Sequence, residues 1–300
     1  MFNLFFAGSR QNDDRHIIEK KANRLYSYAN DKKHIQKFIE TEDRGPLIVD
    51  SGAYSVAHTQ IIVDIDKYIE YINDNTVIEY FIELDVIPYP VLNREIAKFT
   101  ASESWNNYLY MINRLDEPFK LLPVFHFGED LKYLKQILEF RYKGEKIPFM
   151  CIGGRHGVSV IKQEKYFETI FRTIQNSSNP DIKVHVLGMT ILTTLEKFPF
   201  YSADSTTHLQ NSIYGLIMTP YGKFNVSERN VKSNNFKYWG DVEKLLVLEY
   251  IEKLGYKLED LEISYEARLN FNIDSMLDWS DNYKYKGPKS FKIKQGLFTT

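Results

Sequence analysis

A chain of 300 residues with 43% hydrophobic and 26% charged side chains suits one large folded domain or two small ones, and excludes a disordered or collagen-like polymer. No run reaches the roughly 18 to 20 apolar residues of a membrane span, and the opening Met1-Phe2-Asn3-Leu4-Phe5-Phe6 lacks the basic start and long apolar stretch of a signal peptide, so a cytoplasmic protein is expected. The single cysteine, Cys151, makes no internal disulfide or cysteine-rich zinc site, and a net charge of −2 leaves any nucleic-acid partner to a local patch of positive charge.

Neither an internal repeat nor a long Pro/Gly/Ser linker interrupts the chain. Short apolar runs recur instead, each ending near a Gly, Asp or His and followed by a polar, helix-like segment: Phe2 to Ala7, Leu47 to Val49, Tyr80 to Leu84, Leu121 to Phe125, Phe149 to Ile152, Val184 to Leu187 and Phe200 to Ala203. An eighth is expected in Ile213 to Met218. Apolar runs alternating with helices read as parallel strands covered on both faces, and eight such units predict an α/β fold, a (β/α)₈ TIM-type barrel. Helices are predicted over Asp66 to Ile72, over Asp130 to Phe140, and over Asp241 to Leu254 with Gly255 as the C-terminal stop. The barrel is expected to occupy residues 1–255, with residues 256–300 as an extension packed on it.

A barrel of this kind gathers its chemistry at the carboxyl ends of its strands. The residues standing there are Asp50-Ser51, Asp85, His126, Gly153-Gly154, Gly188 and Asp204. Burying unpaired charge costs several kcal/mol, so carboxyls repeatedly following apolar runs point to a site and not to a core.

The segment Leu47-Ile48-Val49-Asp50-Ser51-Gly52-Ala53-Tyr54-Ser55 resembles the Asp-Ser-Gly-Gly-Phe/Tyr-Gln motif of the tRNA-guanine transglycosylase family, with Ala53 and Ser55 replacing the second glycine and the glutamine. Further segments agree in order. Glu83-Leu84-Asp85-Val86-Ile87-Pro88-Tyr89 looks like the family's acidic segment, and Pro123-Val124-Phe125-His126-Phe127-Gly128 is similar to its Gln-Gly-Gly strand end, with His126 at the glutamine. Cys151-Ile152-Gly153-Gly154 matches its Leu-Gly-Gly loop, and His185-Val186-Leu187-Gly188-Met189-Thr190 its His-Leu-Met-Gly-Val-Gly segment. Phe198-Pro199-Phe200-Tyr201-Ser202-Ala203-Asp204-Ser205 stands where the family keeps its nucleophilic aspartate. The family's zinc site of three cysteines and a histidine is absent, since Cys151 stands alone. Phe5-Phe6-Ala7-Gly8-Ser9, Asn23 to Tyr28 and the run from Phe200 to Thr206 look more like the phage and bacterial branch that inserts 7-deazaguanines into DNA.

What the resemblance implies is exchange of guanine in a polynucleotide for a free 7-deazaguanine base, such as the 7-cyano form. DNA is the expected polymer and tRNA the alternative, and neither a metal nor a cofactor is called for. A carboxylate can hold the anomeric carbon as an ester while one purine leaves and another enters, and a second carboxyl must cycle as acid and base. Asp204 is the expected nucleophile and Asp50 the expected acid/base. Tyr54 offers a stacking face, Asp85 an acceptor for the purine N1–H and amino edge, and His126 with the backbone of Gly153 and Gly154 donors to O6. Ser51 and Leu187, inside the matching segments, are carried over as base contacts.

Each position has a plainer alternative. Asp50-Ser51-Gly52 also suits a simple turn, and Asp204 a helix cap through Ser205 to Thr207. Glu83 competes with Asp85, His185 reads as structural, and His156 and His208 receive no role. Gly153-Gly154-Arg155-His156-Gly157 lacks the Lys-Ser of a phosphate loop. Asp50, Asp85, His126, His185 and Asp204 also define a second class, a metal-dependent barrel hydrolase, against which stands the want of any His-x-His or His-Glu-x-x-His spacing. Near the C-terminus, Lys284, Lys286, Lys289, Lys292 and Lys294 alternate with Tyr283, Tyr285 and Phe291, which suits either a nucleic-acid-tracking surface or a lysine-guarded edge.

Overall fold

The computed structural model describes residues 2–8, 14–53, 62–88, 93–153, 158–189, 191–227, 235–288 and 291. Its centre is a nearly closed, nine-stranded parallel sheet: β1 (Asn3–Ala7), β2 (Asn23–Ser27), β3 (Leu47–Asp50), β4 (Tyr80–Ile82), β5 (Leu121–Leu122), β6 (Val124–His126), β9 (Phe149–Gly153), β10 (Lys183–Val186) and β11 (Ser202–Ser205). Two short strands outside it, β7 (Arg141–Tyr142) and β8 (Glu145–Lys146), form a small antiparallel ribbon. The order is β5-β4-β3-β2-β1-β11-β10-β9-β6, so the two edges of the sheet are neighbours in the chain, separated only by Pro123. Proline has no N–H for a ladder, and the strand changes partners there. Leu122 accepts from the Glu83 N–H on the β4 side at 3.1 Å, and Pro123 accepts from Cys151 on the β9 side at 2.8 Å. Glu83 completes the junction by accepting the Val124 N–H at 2.6 Å through Oε1.

Alternation along the strands sorts the side chains into two cores. Phe5, Leu25, Ile48, Ile82, Leu122, Val124, Phe149 and Cys151 fill the inside of the sheet. Leu4, Phe6, Tyr26, Val49, Phe81, Phe125, Met150, Ile152 and Val184 face outward, under the helices.

Eleven α-helices occur among the described residues: α1 (Asp14–Glu19), α2 (Lys32–Ile39), α3 (Ile65–Asp74), α4 (Arg94–Ile112), α5 (Leu131–Glu139), α6 (Val160–Gln175), α7 (Leu192–Lys197), α8 (Thr207–Ile213), α9 (Asp241–Lys253), α10 (Leu258–Ile263) and α11 (Tyr265–Asp281). The three predicted helices are present. Asp64 caps α3 by accepting from Asp66 and Lys67, and the helix buries Tyr68, Ile69 and Ile72. Asp130 caps α5, which buries Leu134, Ile137 and Leu138. Helix α9 ends before Gly255, whose φ of +84° is the left-handed stop that glycine adopts freely.

The eighth strand is a correction. Ile213 closes α8, and β12 (Leu216–Thr219) pairs antiparallel with β13 (Gly222–Asn225) in a hairpin outside the sheet. The missing parallel strand is β2, between β1 and β3. Its apolar run is interrupted by Arg24, which is nonetheless fully buried: Nη1 donates to the Phe6 carbonyl at 2.5 Å and Nη2 to the Gly8 carbonyl, Nη2 also forms an ion pair with Asp14 Oδ1 at 2.6 Å, and the guanidinium lies 4.3 Å from the Tyr26 ring centroid. Backbone carbonyls and an acidic partner make a charged residue admissible where an apolar one is expected.

The hairpin, α9, α10 and α11 share a third core of Ile217, Phe224, Val226, Phe236, Val247, Tyr250, Ile251, Leu261 and Phe271. The expected domain boundary after residue 255 falls inside this cluster. Helix α11 then returns to cover β1: Phe2 stacks on Tyr283 at 4.8 Å and meets Trp279 edge-on at 5.4 Å, and Ser280 donates to the Phe2 carbonyl. No helix among the described residues is long and apolar enough to cross a membrane.

Candidate active site at the carboxyl ends of the strands

Asp50 is the last residue of β3, His126 of β6 and Gly153 of β9; Asp204 is next to last in β11, Leu187 follows β10, and Asp85 stands three residues beyond β4. One mouth of the sheet therefore receives all six. Tyr54 and Gly154 lie outside the described residues, as do Lys289, Lys292 and Lys294.

Asp50 is placed by a tight turn. The Gly52 N–H donates to Asp50 Oδ2 at 3.0 Å, and Gly52 has φ +94°. A Cβ there would come within 2.4 Å of the Ala29 Cβ, so the turn requires glycine. Burial pushes the Asp50 carboxyl up from its ordinary 3.8 to about 8, and the negative fields of Asp85 and Asp204 add to it. A carboxyl so placed is a proton donor at neutral pH. Ser51 is fully buried, and its Oγ has no partner among the described residues.

Asp204 is held differently. Its Oδ1 accepts from the Gly188 N–H at 2.9 Å and lies 3.1 Å from His185 Nε2, whose Nδ1 is 2.8 Å from the Ser202 hydroxyl. Oδ2 takes no hydrogen bond from the described residues. The helix-capping alternative does not apply, because Ser205 Oγ accepts the Thr207 N–H. His185, read from the sequence as structural, turns out to steady the acid expected to attack. The sign of this lay in its even spacing from Leu187, which puts both on the inner face of the strand.

His126 lies between two acids. Nε2 is 2.7 Å from Asp85 Oδ2 and Nδ1 is 3.0 Å from Glu129 Oε1, while the His126 N–H donates to Glu129 Oε2 at 2.9 Å. Burial disfavours a charged imidazole, but Glu129 and Asp85 outweigh it and hold His126 up at about 10. Both ring nitrogens are thus engaged within the protein, leaving neither for a purine O6. Gly153 lies against the same ring: a Cβ there would sit 3.4 Å from His126 Cδ2 and 3.1 Å from Leu187 Cδ1, so glycine keeps this wall of the mouth open. Glu83, the competitor of Asp85, is buried at the Pro123 junction with its carboxyl pushed well above the usual range by burial. Its Oε2 and the Tyr108 hydroxyl have no partner among the described residues. Glu129 carried no signal in its own segment, since an acid three residues past a strand end reads as an ordinary helix approach.

No group of three or more His, Cys, Asp or Glu among the described residues is arranged to hold a metal ion. Cys151 lies in the inner core below the carboxyls, its thiol pushed well up by burial, and is not poised as a nucleophile.

The described lysines of the C-terminal run lie elsewhere. Lys286 pairs with Glu196 at 2.7 Å, its N–H donates to the Glu196 carbonyl, and Tyr283 donates to the Leu195 carbonyl, all at the last turn of α7. That turn precedes β11, and Tyr283 also stacks on Phe2, ahead of β1. Exposed Lys284 and paired Lys286 therefore sit where the strands begin, at the end opposite the carboxyls.

No family model matches the chain, and no curated protein matches it.

Proposed function

We propose that this chain is a base-exchanging glycosyltransferase, in which a guanine of a polynucleotide is replaced by a free 7-deazaguanine through a covalent aspartyl-glycosyl intermediate. Counting Leu121 to His126 as one strand bent at Pro123 gives eight parallel strands and the reading of a (β/α)₈ TIM-type barrel. The observation that carries the proposal is the contrast between two acids at one mouth. Asp204 has one oxygen anchored by Gly188 and His185 and the other open, while Asp50 retains a proton to about pH 8. A nucleophile and an acid are the two roles that cleavage of an N-glycosidic bond with retention requires.

In the first half-reaction Asp204 Oδ2 attacks the anomeric carbon, the bond to guanine N9 breaks, and the departing ring takes the Asp50 proton. In the second, the incoming base gives its N9 proton to the Asp50 carboxylate, N9 attacks the anomeric carbon, and the ester to Asp204 breaks. The exchanging nucleotide must leave its stack to reach such a mouth. DNA is the proposed polymer, supported by the branch likeness of the N-terminal and Phe200–Thr206 segments, with tRNA the alternative.

The test incubates the full chain with radiolabelled guanine and either plasmid DNA or bulk tRNA. Label in DNA alone supports the reading in full, and label in tRNA alone keeps the mechanism and reverses the polymer. Label in neither polymer, whether labelled guanine or a labelled 7-deazaguanine is offered, overturns it.

A further inference from the structure

Glu129 takes no part in the exchange as written above, yet it is among the most firmly placed acids near the mouth. It is 7% exposed in the turn between β6 and α5, and both of its oxygens are used on one residue. His126 is fixed at four points: its N–H and Nδ1 by Glu129, Nε2 by Asp85, and its carbonyl by the Tyr166 hydroxyl of α6 at 2.7 Å. A ring with a carboxylate at each nitrogen donates from both. The charged and titratable groups facing it are Asp85 and Glu83 from the β4 side, Glu129 from its own turn, and Tyr166 from α6.

The chain of contacts leads to the mouth. Asp85 Oδ2 is held by His126, while Oδ1 has no partner among the described residues, and the residue is 7% exposed. A buried acid–histidine–acid series offers little stability over apolar packing of the same volume, so packing does not account for it. Orientation does, because an acceptor fixed before binding loses less freedom when a ligand arrives.

We propose that Glu129 is a positioning residue which, through His126, fixes Asp85 so that its Oδ1 accepts from the N–H edge of the exchanged base. The proposal rests on the exchange reading and assigns base affinity, not bond breaking, to the Glu129–His126–Asp85 series. Glu129→Gln keeps the acceptor for the His126 backbone and removes the charge. With labelled guanine as the varied substrate and DNA saturating, it is expected to raise KM for guanine about tenfold or more, the scale of a disturbed hydrogen bond to a charged group, with kcat changed less than about threefold. A kcat loss at unchanged KM, or no change in either, overturns the proposal.

A second arm needs neither a variant nor activity. Ring nitrogen NMR of the histidine-labelled wild type is expected to show His126 protonated at both nitrogens from about pH 6 to 9, and a neutral His126 at pH 7 overturns the proposal even if the variant does not fold. In Glu129→Gln the same ring is expected to titrate within that range. Failure of the exchange reading is seen separately, as wild-type protein that incorporates no guanine into either polymer while the histidine signal stays that of a charged ring.

Discussion

Asp204 and Asp50 differ less in position than in what surrounds them, and substitution separates their roles. Asp204→Asn is expected to abolish exchange and leave stability within about 1 kcal/mol, because an amide oxygen still accepts from Gly188. Asp204→Ala should lose exchange and also about 1 to 3 kcal/mol, since the buried His185 ring loses its acceptor. Chemical denaturation and label incorporation read the two effects separately. For Asp50 the sign of the pH dependence follows from its raised value. Between about pH 4 and 8 the folded chain holds a proton that the unfolded chain has released, so this group's contribution to stability falls as pH rises through that window. Asp50→Asn is therefore expected to melt higher than wild type at pH 7 to 8, with the advantage gone near pH 4, and to be inactive in exchange. Wild-type kcat/KM should decline above about pH 8 as the acid loses its proton. Both aspartates were legible in the sequence, because each follows an apolar run and lies in a segment with a recognisable likeness. Glu129 and the hydrogen bond from His185 to Asp204 were not, since they depend on which residues of separate strands face one another.

At the level of elements, seven of the expected apolar runs lie in the parallel sheet, and the eighth was misplaced for a physical reason. Ile213 to Met218 is apolar enough for a strand, but Pro220-Tyr221-Gly222 follows it and turns the chain back on itself. Strand β2 escaped notice because Asn23 and Arg24 open it and leave only Leu25 and Tyr26 apolar, and only the folded chain supplies the Phe6 and Gly8 carbonyls and the Asp14 carboxylate that receive the guanidinium. Arg24→Ala is expected to destabilise by about 3 to 5 kcal/mol, the range for removing one partner of a buried pair. A denaturation midpoint unchanged from wild type would show that the guanidinium contributes nothing to holding β1 against β2. The Pro123 junction likewise hides in the sequence, where Leu121 to His126 reads as one run and not as two strands with different neighbours.

Across the whole molecule, the carboxyls of the candidate site and the described lysines of the C-terminal run, Lys284 and Lys286, occupy opposite ends. Lys284→Ala with Lys286→Ala is expected to leave exchange on DNA within about twofold at constant salt, since removing phosphate contacts would weaken binding and flatten its salt dependence. A marked rise in KM for DNA, with a shallower salt slope, would mean that the polymer does reach that end. Sequence patterning conveyed the α/β class and the clustering of acids at one mouth. It did not convey where the C-terminal run docks, because lysines alternating with aromatics suit both a solvated edge and a nucleic-acid surface.

The return of α11 to β1 also bears on how the chain acquires its shape. Phe2 is covered by Trp279 and Tyr283, and β1 must pair with β11, some two hundred residues later in the sequence. Neighbouring units such as β3 with β4 can form early, whereas the β1–β11 seam carries the longest loop-closure penalty in the sheet. During synthesis the first strand emerges with its outer face bare and waits for nearly the entire chain, so the seam is where a nascent molecule is most open to mispairing or capture by a chaperone.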